Sequence, residues 1–354
     1  MQTVFKIFQE LKNESPQNGD SFAIASLPSI KNHKIGISQS GQPIFFIKCN
    51  NNSKTKSLDT NLEFISVQFN RQCQLINNKG KKEEDIYTII SLKSDSDYLQ
   101  EYFLKIVFVL IKNLSEKPLL KELKIEIEKL INLFTKFSKP ALKTIQGLWA
   151  ELLIIEQSNN PDYLIESWHN SKSDKYDFND GFDKIEVKST LKNRRIHSFS
   201  LEQLTPNSNS KLIVSSIFTI ETGIGVNIFD LVEKIELKIK NKNLSFRLNE
   251  MVVLTLGKDF EKSFDVFFDY QFAIDSIQHY SRLVIKENIK RLFKIYQFAI
   301  DSIKHYSSVD IPTISNNQIP TNILNVRFDC DLTNVKSLSK KKTNSKLHNS
   351  IFKV

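Results

Sequence analysis

The chain has 354 residues, 40% hydrophobic and 25% charged, a globular composition with enough length for one large or two ordinary domains. Lysine plus arginine number 49 against 40 acids, a net charge of +9 that favours a polyanionic partner without requiring one. Cys49, Cys73 and Cys330 are too widely separated for a disulfide framework or a zinc site, and the apolar run from Ile106 to Ile111 is too short to span a bilayer. With no apolar leader in "MQTVFKIFQELKNESPQ", the expectation is a cytoplasmic protein with no membrane association.

Residues 33 to 90 read as β-rich. "KIGISQSGQPIFFIKC" is strand, turn, strand, and "LEFISVQF" alternates as a third. Helical periodicity then takes over. Ser94 to Asp97 offer caps for "YLQEYFLKIVFVLIKNL", and Pro118 precedes "LLKELKIEIEKLINLF". This divides the chain into an N-terminal β-rich module with its following helix (1–115), a helix-led core (116–335) and a basic tail (336–354) expected to be disordered.

A third helix is expected from about Ser138 and Pro140 through "ALKTIQGLWAELLIIEQSN". Between Leu148 and Ile155 only Glu151 is polar, so that helix is buried nearly all round. A carboxylate there needs a partner: either a site, or an escape to water or a nearby lysine.

"YDFNDGFDKIEVKST" (176–190) follows, with Asp180-Gly181 as a two-residue hairpin loop. In that register Asp177 opposes Lys184. Asp177, Lys184, Glu186 and Lys188 share one face, and Tyr176, Phe178, Ile185 and Val187 the other. Asp177 and Glu186 become diagonal neighbours roughly 7–8 Å apart at Cβ, a spacing that suits one divalent ion. The competing reading is the solvated face of a half-buried hairpin, with Asp177 and Lys184 as a cross-strand ion pair.

"LKNRRIHSFSLEQL" reads as a basic loop leading into a helix start, "KLIVSSIFTI" as a core strand and "IFDLVEKIELKIKNKN" as an amphipathic helix. Together these imply an α/β architecture with a mixed β-sheet flanked by helices. Residues 270–281, "YQFAIDSIQHYS", recur at 296–307 with one change in twelve, a segmental duplication in which His279 and His305 are expected on amphipathic helices. A shift of 26 residues turns a helix by about 80°, so the copies cannot share one stripe of a straight helix.

No phosphate-binding loop, H-E-x-x-H or nucleophile elbow occurs. "ELK" at 236–238 repeats the Glu-x-Lys spacing, but on a helical pattern, where residues two apart diverge. The residues that remain, Asp177 and Glu186-Val187-Lys188 with Glu151 on the preceding helix, resemble the PD-(D/E)XK nuclease superfamily and its restriction-endonuclease-like fold. Tyr176 stands where the motif's name has proline. "GLWAELLIIE", "SWHNSKSDKYDF", "IEVKST" and "SLEQL" are similar to a bacterial group of PD-(D/E)XK motif proteins found beside restriction and phage-defence genes.

That resemblance implies a metal-dependent endonuclease acting on DNA in restriction or phage defence. Asp177, Glu186, the Val187 carbonyl and Glu151 would hold Mg²⁺, with Mn²⁺ as an alternative, and Lys188 would act on the attacking water. Lys192, Arg194 and Arg195 become nucleic-acid contacts, with a plainer reading as an exposed basic loop; Gln203 would steady the site or touch the phosphate, with a plainer reading as a helix surface residue. A DNA methyltransferase or another defence subunit is an implied partner, and a homodimer is compatible. The alternative function is a non-catalytic DNA-binding or scaffolding subunit that retains the fold.

Overall fold

A computed structural model of the protein describes residues 2–14, 22–28, 30–50, 58–77, 82–168, 174–200, 202–204, 209–241, 243–281, 327–338 and 344–352. They form two compact units, Met1–Leu142 with Glu250–Glu261, and Lys143–Asn249 with Lys262–Val354.

In the first unit, α1 (Gln2–Glu14) precedes β1 (Phe22–Leu27), β2 (Ile30–Ile37), β3 (Pro43–Ile47), β4 (Thr60–Asn61), β5 (Ile65–Asn77) and β6 (Lys82–Leu92). The sheet order is β1-β2-β3-β6-β5-β4. β1 also pairs in parallel with β5, so the sheet closes on itself. A bulge between Gln68 and Arg71, with Asn70 at φ 53°, bends the long β5 so that its two halves can serve different partners. Gly36 is required where the strands crowd, because a Cβ there would meet Phe46 at 2.8 Å and the Ala23 carbonyl at 3.0 Å.

Two helices follow, α2 (Asp97–Lys112) and α3 (Leu120–Phe134). Ser96 caps α2, its hydroxyl accepting from the Leu99 amide, and Glu122 reaches back to the Leu119 amide at the start of α3. The expected division at 115 therefore moves. Both helices lie in the first unit, tied in through Phe45, Phe103, Phe134 and Phe137, and the second unit begins at Lys143.

The second unit contains α4 (Ile145–Gln157), α5 (Pro161–Ser167), β7 (Phe178–Asn179), β8 (Lys184–Thr190), β9 (Ile196–Ser200), β10 (Leu212–Phe218) and β11 (Glu221–Thr222). It continues with α6 (Ile228–Lys238), α7 (Asn243–Leu256), whose later residues join the first unit, β12 (Phe267–Phe268), α8 (Tyr270–Ser276), β13 (Gln278–Ser281), β14 (Arg327–Asp331) and α9 (Lys346–Ile351). Its main sheet has the order β13-β10-β8-β7. β10 and β8 run parallel and the outer pairs antiparallel, giving the mixed sheet of an α/β fold. α4 packs between β8 and α6. Every residue from Leu148 to Glu156 is buried, and each fully buried leucine or isoleucine contributes about 1.5–3 kcal/mol.

Three local expectations change. α4 starts at Ile145 behind the Thr144 cap rather than near Ser138. The second half of the basic loop is strand β9, because residues 196–200 find an antiparallel partner in β14. The first duplicate copy is helix and then strand. α8 packs on β10, Ile277 is extended, and His279 sits on β13 with Nδ1 2.9 Å from the Ser215 hydroxyl. The second copy, with His305, lies outside the described residues.

The tail also differs from a disordered expectation at residues 344–352. Ser345 caps α9, Leu347 and Ile351 are buried, His348 Nε2 lies 3.1 Å from the Lys184 carbonyl, and Ser158 donates to the Ser350 carbonyl. A capped turn with two apolar anchors can bury enough surface to order a basic terminus. Lys340 to Lys342 lie outside the described residues.

Candidate active site

The hairpin register is set by Asp180. Its Oδ1 accepts from the Phe182 and Asp183 amides (2.9 and 2.8 Å), and its Oδ2 accepts from the Tyr163 hydroxyl. Gly181 takes φ +91°, and the loop is four residues, 180–183, rather than two. Phe178 thus faces Ile185 and Asn179 faces Lys184, a register two residues from the one expected. A slip of two leaves every side chain on its assigned face, because strand side chains alternate with period two. Continued by one pair, this register sets Asp177 opposite Glu186. Lys184 instead donates to Asn179 Oδ1, so the cross-strand ion pair with Asp177 does not form.

β8 is a central strand covered on both faces, so the acids are not a solvated surface. Asp177 is 5% exposed, Glu186 4% and Glu151 2%. Each has one oxygen held by a neutral protein donor. The Val187 amide donates to Asp177 Oδ2 (2.6 Å), Trp168 Nε1 to Glu151 Oε2 (2.7 Å) and Gln203 Nε2 to Glu186 Oε1 (2.7 Å). Trp168 is in turn fixed by burial, by a bridge to Phe178 and by a stacked arrangement on its ring.

The second oxygens are used differently. Lys143 Nζ donates to both Glu151 Oε1 and Asp177 Oδ1. Glu186 Oε2 is buried with no hydrogen-bond partner, while Lys188 Nζ lies 2.8 Å from Glu186 Oε1. Burial first, and then the Asp177 carboxylate, push the Glu186 carboxyl up to about 8 against the opposing pull of Lys188 and Lys143. For Lys143 burial acts downward, but Asp177 and Glu151 more than offset it and hold the ammonium above its ordinary value.

The sequence-derived residues separate into groups. Asp177, Glu186 and Lys188 come together, with Val187 entering through its amide. Glu151 stands one step back, joined to Asp177 through Lys143. Among the described residues no three Asp, Glu, His or Cys side chains gather closely enough to hold a metal, and the Lys143 ammonium is what stands between Glu151 and Asp177. Gln203 donates to Glu186 Oε1, which fits the site-steadying reading and not that of a plain surface residue.

Arg195 is 3% exposed. It donates to the Ser216 carbonyl and hydroxyl and to the Ser276 carbonyl, and it lies over the Phe218 ring, so it is a core residue and not a phosphate contact. Arg194 is exposed but paired with Asp331, and Lys192 is exposed. Sequence reading allowed Glu151 a nearby lysine without naming Lys143, and it missed Trp168. Lys143 precedes its helix and shares no periodicity with Glu151; Trp168 stood in "SWHN", where only an acid buried on α4 would have asked for a donor.

Asp177 and Glu186 fit a hard divalent cation as two buried oxygen donors, one with an unpartnered atom. The cation already seated between Asp177 and Glu151 is an ammonium. Among the described residues no helix is long and apolar enough to cross a membrane. No curated protein and no solved structure matches the chain. One family model matches residues 4–292, under the description "Putative PD-(D/E)XK family member, (DUF4420)". Spanning both the closed β-module and the acid-bearing hairpin, that match assigns the chain to the DUF4420 family.

Proposed function

We propose that the protein is a metal-dependent endonuclease hydrolysing phosphodiester bonds in DNA, with a role in restriction or phage defence. The observation that carries this reading is the constellation of buried Asp177 and Glu186 with the half-buried Lys188, in which Glu186 Oε2 has no partner. A buried carboxylate oxygen left unpaired costs free energy that a ligand would recover. Family membership supports the reading at the level of the fold.

Asp177 and Glu186 are the metal-holding residues in this proposal, with the Val187 carbonyl beside them. A bound Mg²⁺ or Mn²⁺ supplies charge neutralisation at the phosphate and an acidified water. Gln203 holds Glu186 Oε1 and so leaves Oε2 directed to the ligand. Lys188 Nζ, on the same face, orients the attacking water and offsets charge that develops on the non-bridging phosphate oxygens. Lys192 is the exposed cation best placed in sequence to follow the DNA backbone, and a methyltransferase or other defence subunit is the proposed licensing partner.

The test is plasmid cleavage by purified protein with Mg²⁺ or Mn²⁺. Lys188→Ala is expected to lose roughly 10²–10⁴-fold in rate, and equal cutting by that variant would refute the assignment. One observation favours the second reading, a non-catalytic DNA-binding subunit: Lys143 already neutralises part of the acid pocket. Absence of both cleavage and metal stabilisation would select it.

A further inference from the structure

Each buried acid is held at one oxygen by a neutral donor that is itself anchored: the Val187 amide, the Trp168 indole or the Gln203 amide. The other oxygens of Asp177 and Glu151 both receive the Lys143 ammonium. That ammonium therefore sits where carboxylates from the hairpin and from α4 meet.

The environments of the three partners are unequal. The Lys143 side chain is 30% exposed, whereas those of Glu151 and Asp177 are 3% and 7%. Lys143 also lies just before the Thr144 cap, outside the helix that carries Glu151. Its four-carbon stem can swing the charge into water without moving α4 or the hairpin. The acids cannot leave. Unpaired, they would be buried like charges a few ångströms apart, the arrangement that neighbouring cations are needed to offset.

We propose that Lys143 is an exchangeable counter-cation of this pocket, filling the place between Glu151 and Asp177 when no divalent ion is bound and withdrawing to solvent when one binds. The inference rests on the metal-binding reading above and extends it to the regulation of that site. A lysine ammonium and a divalent cation cannot share these oxygens, because their repulsion inside a water-poor pocket opposes both charges remaining there. Glu151 Oε1 and Asp177 Oδ1 then become available together, completing the acid cluster that Lys143 holds apart. The exchange also keeps the metal-free protein folded, since the acids are never left without positive charge.

The experiment uses the full-length wild-type chain, with lysine acylation by an N-hydroxysuccinimide ester read by peptide mass spectrometry, with and without Mg²⁺. Thermal melting is run in parallel on the wild type, Asp177→Asn, Glu186→Gln and Lys143→Met. Labelling of Lys143 is expected to rise at least threefold on adding Mg²⁺, and to stay flat in Asp177→Asn. Lys143→Met is expected to melt lower than the wild type without metal and to gain more from Mn²⁺. Metal stabilisation that depends on Asp177 and Glu186 while Lys143 labelling stays unchanged would overturn the exchange and leave the metal site standing. No metal stabilisation in any protein would overturn the metal reading itself, and the exchange with it. Labelling of the wild type needs no substitution at Lys143, so it decides the question even if Lys143→Met fails to fold.

Discussion

Replacing Arg195 by methionine removes a guanidinium that is 3% exposed while keeping an apolar stem of similar bulk. The Ser216 carbonyl, 2.8 Å from Nη1, and the Ser276 carbonyl, bonded to Nη2, both lose a charged donor, and the Phe218 ring loses a cation 4.1 Å from its centre. Losing two hydrogen bonds from a charged donor costs about 1.5–3 kcal/mol each and losing the cation–ring contact about 0.5–2 kcal/mol. Removing a costly buried charge returns part of this, so the expected loss is about 3–5 kcal/mol. For a unit of about 200 residues that corresponds to a fall in Tm of roughly 6–20 °C. The assay is urea and thermal unfolding of Arg195→Met beside Lys192→Met, with DNA retention measured at low salt. Lys192→Met, an exposed change, should melt within about 2 °C of the wild type and bind DNA more weakly. If Arg195→Met melted like the wild type but lost DNA affinity, the placement of Arg195 as a core residue would be wrong.

Trp168→Phe leaves Glu151 Oε2 without its indole donor and should cost about 1–3 kcal/mol in urea unfolding; an unchanged stability would mean that water replaces the donor freely. His33 is buried and its pKa is lowered to about 4, chiefly by burial, so the unfolded chain takes up a proton near pH 6.5 that the folded chain refuses. Its stabilising contribution is therefore full above about pH 6.5 and is lost as pH falls towards 4, by about 2 kcal/mol at pH 5. Glu186, raised to about 8, has the opposite slope, so the effect is read as the difference between wild type and His33→Asn, and identical pH profiles would contradict it. Deleting residues 270–295 joins Asp269, the cap of α8, directly to the second copy of the duplicated segment. That copy repeats Tyr270, Ala273, Ser276, His279 and Tyr280, which bond Glu156, pack in the core, and meet Phe218, Ser215 and Leu332. The shortened chain should fold and melt within about 5 °C of the full one, and insolubility or a much lower Tm would show that the copies are not equivalent.

Local chemistry determined much of this protein from the sequence alone. Alternation in the hairpin assigned Asp177, Glu186 and Lys188 to one face, and that assignment survived a register error because the slip was by two residues. The apolar run around Glu151 made a buried carboxylate visible as a group in need of a partner. Ser96, among the cap residues 94–97, announced the start of α2 through a capping hydrogen bond made within three residues.

Long-range pairing decided the rest. The Asp180 side chain, not the Asp-Gly dipeptide, set the loop length. β9 is a strand only because β14 arrives from beyond residue 326. The repeated segment turns from helix to strand where β10 offers an open edge, and the basic terminus orders where α4, α5 and β8 give it a surface. Arg195 and Arg194 are adjacent in sequence, yet one is core and the other surface, and Lys143 meets Asp177 across 34 residues. Periodicity reports which face a side chain takes on its own element. Which charge it finally meets depends on elements that only the folded chain brings together.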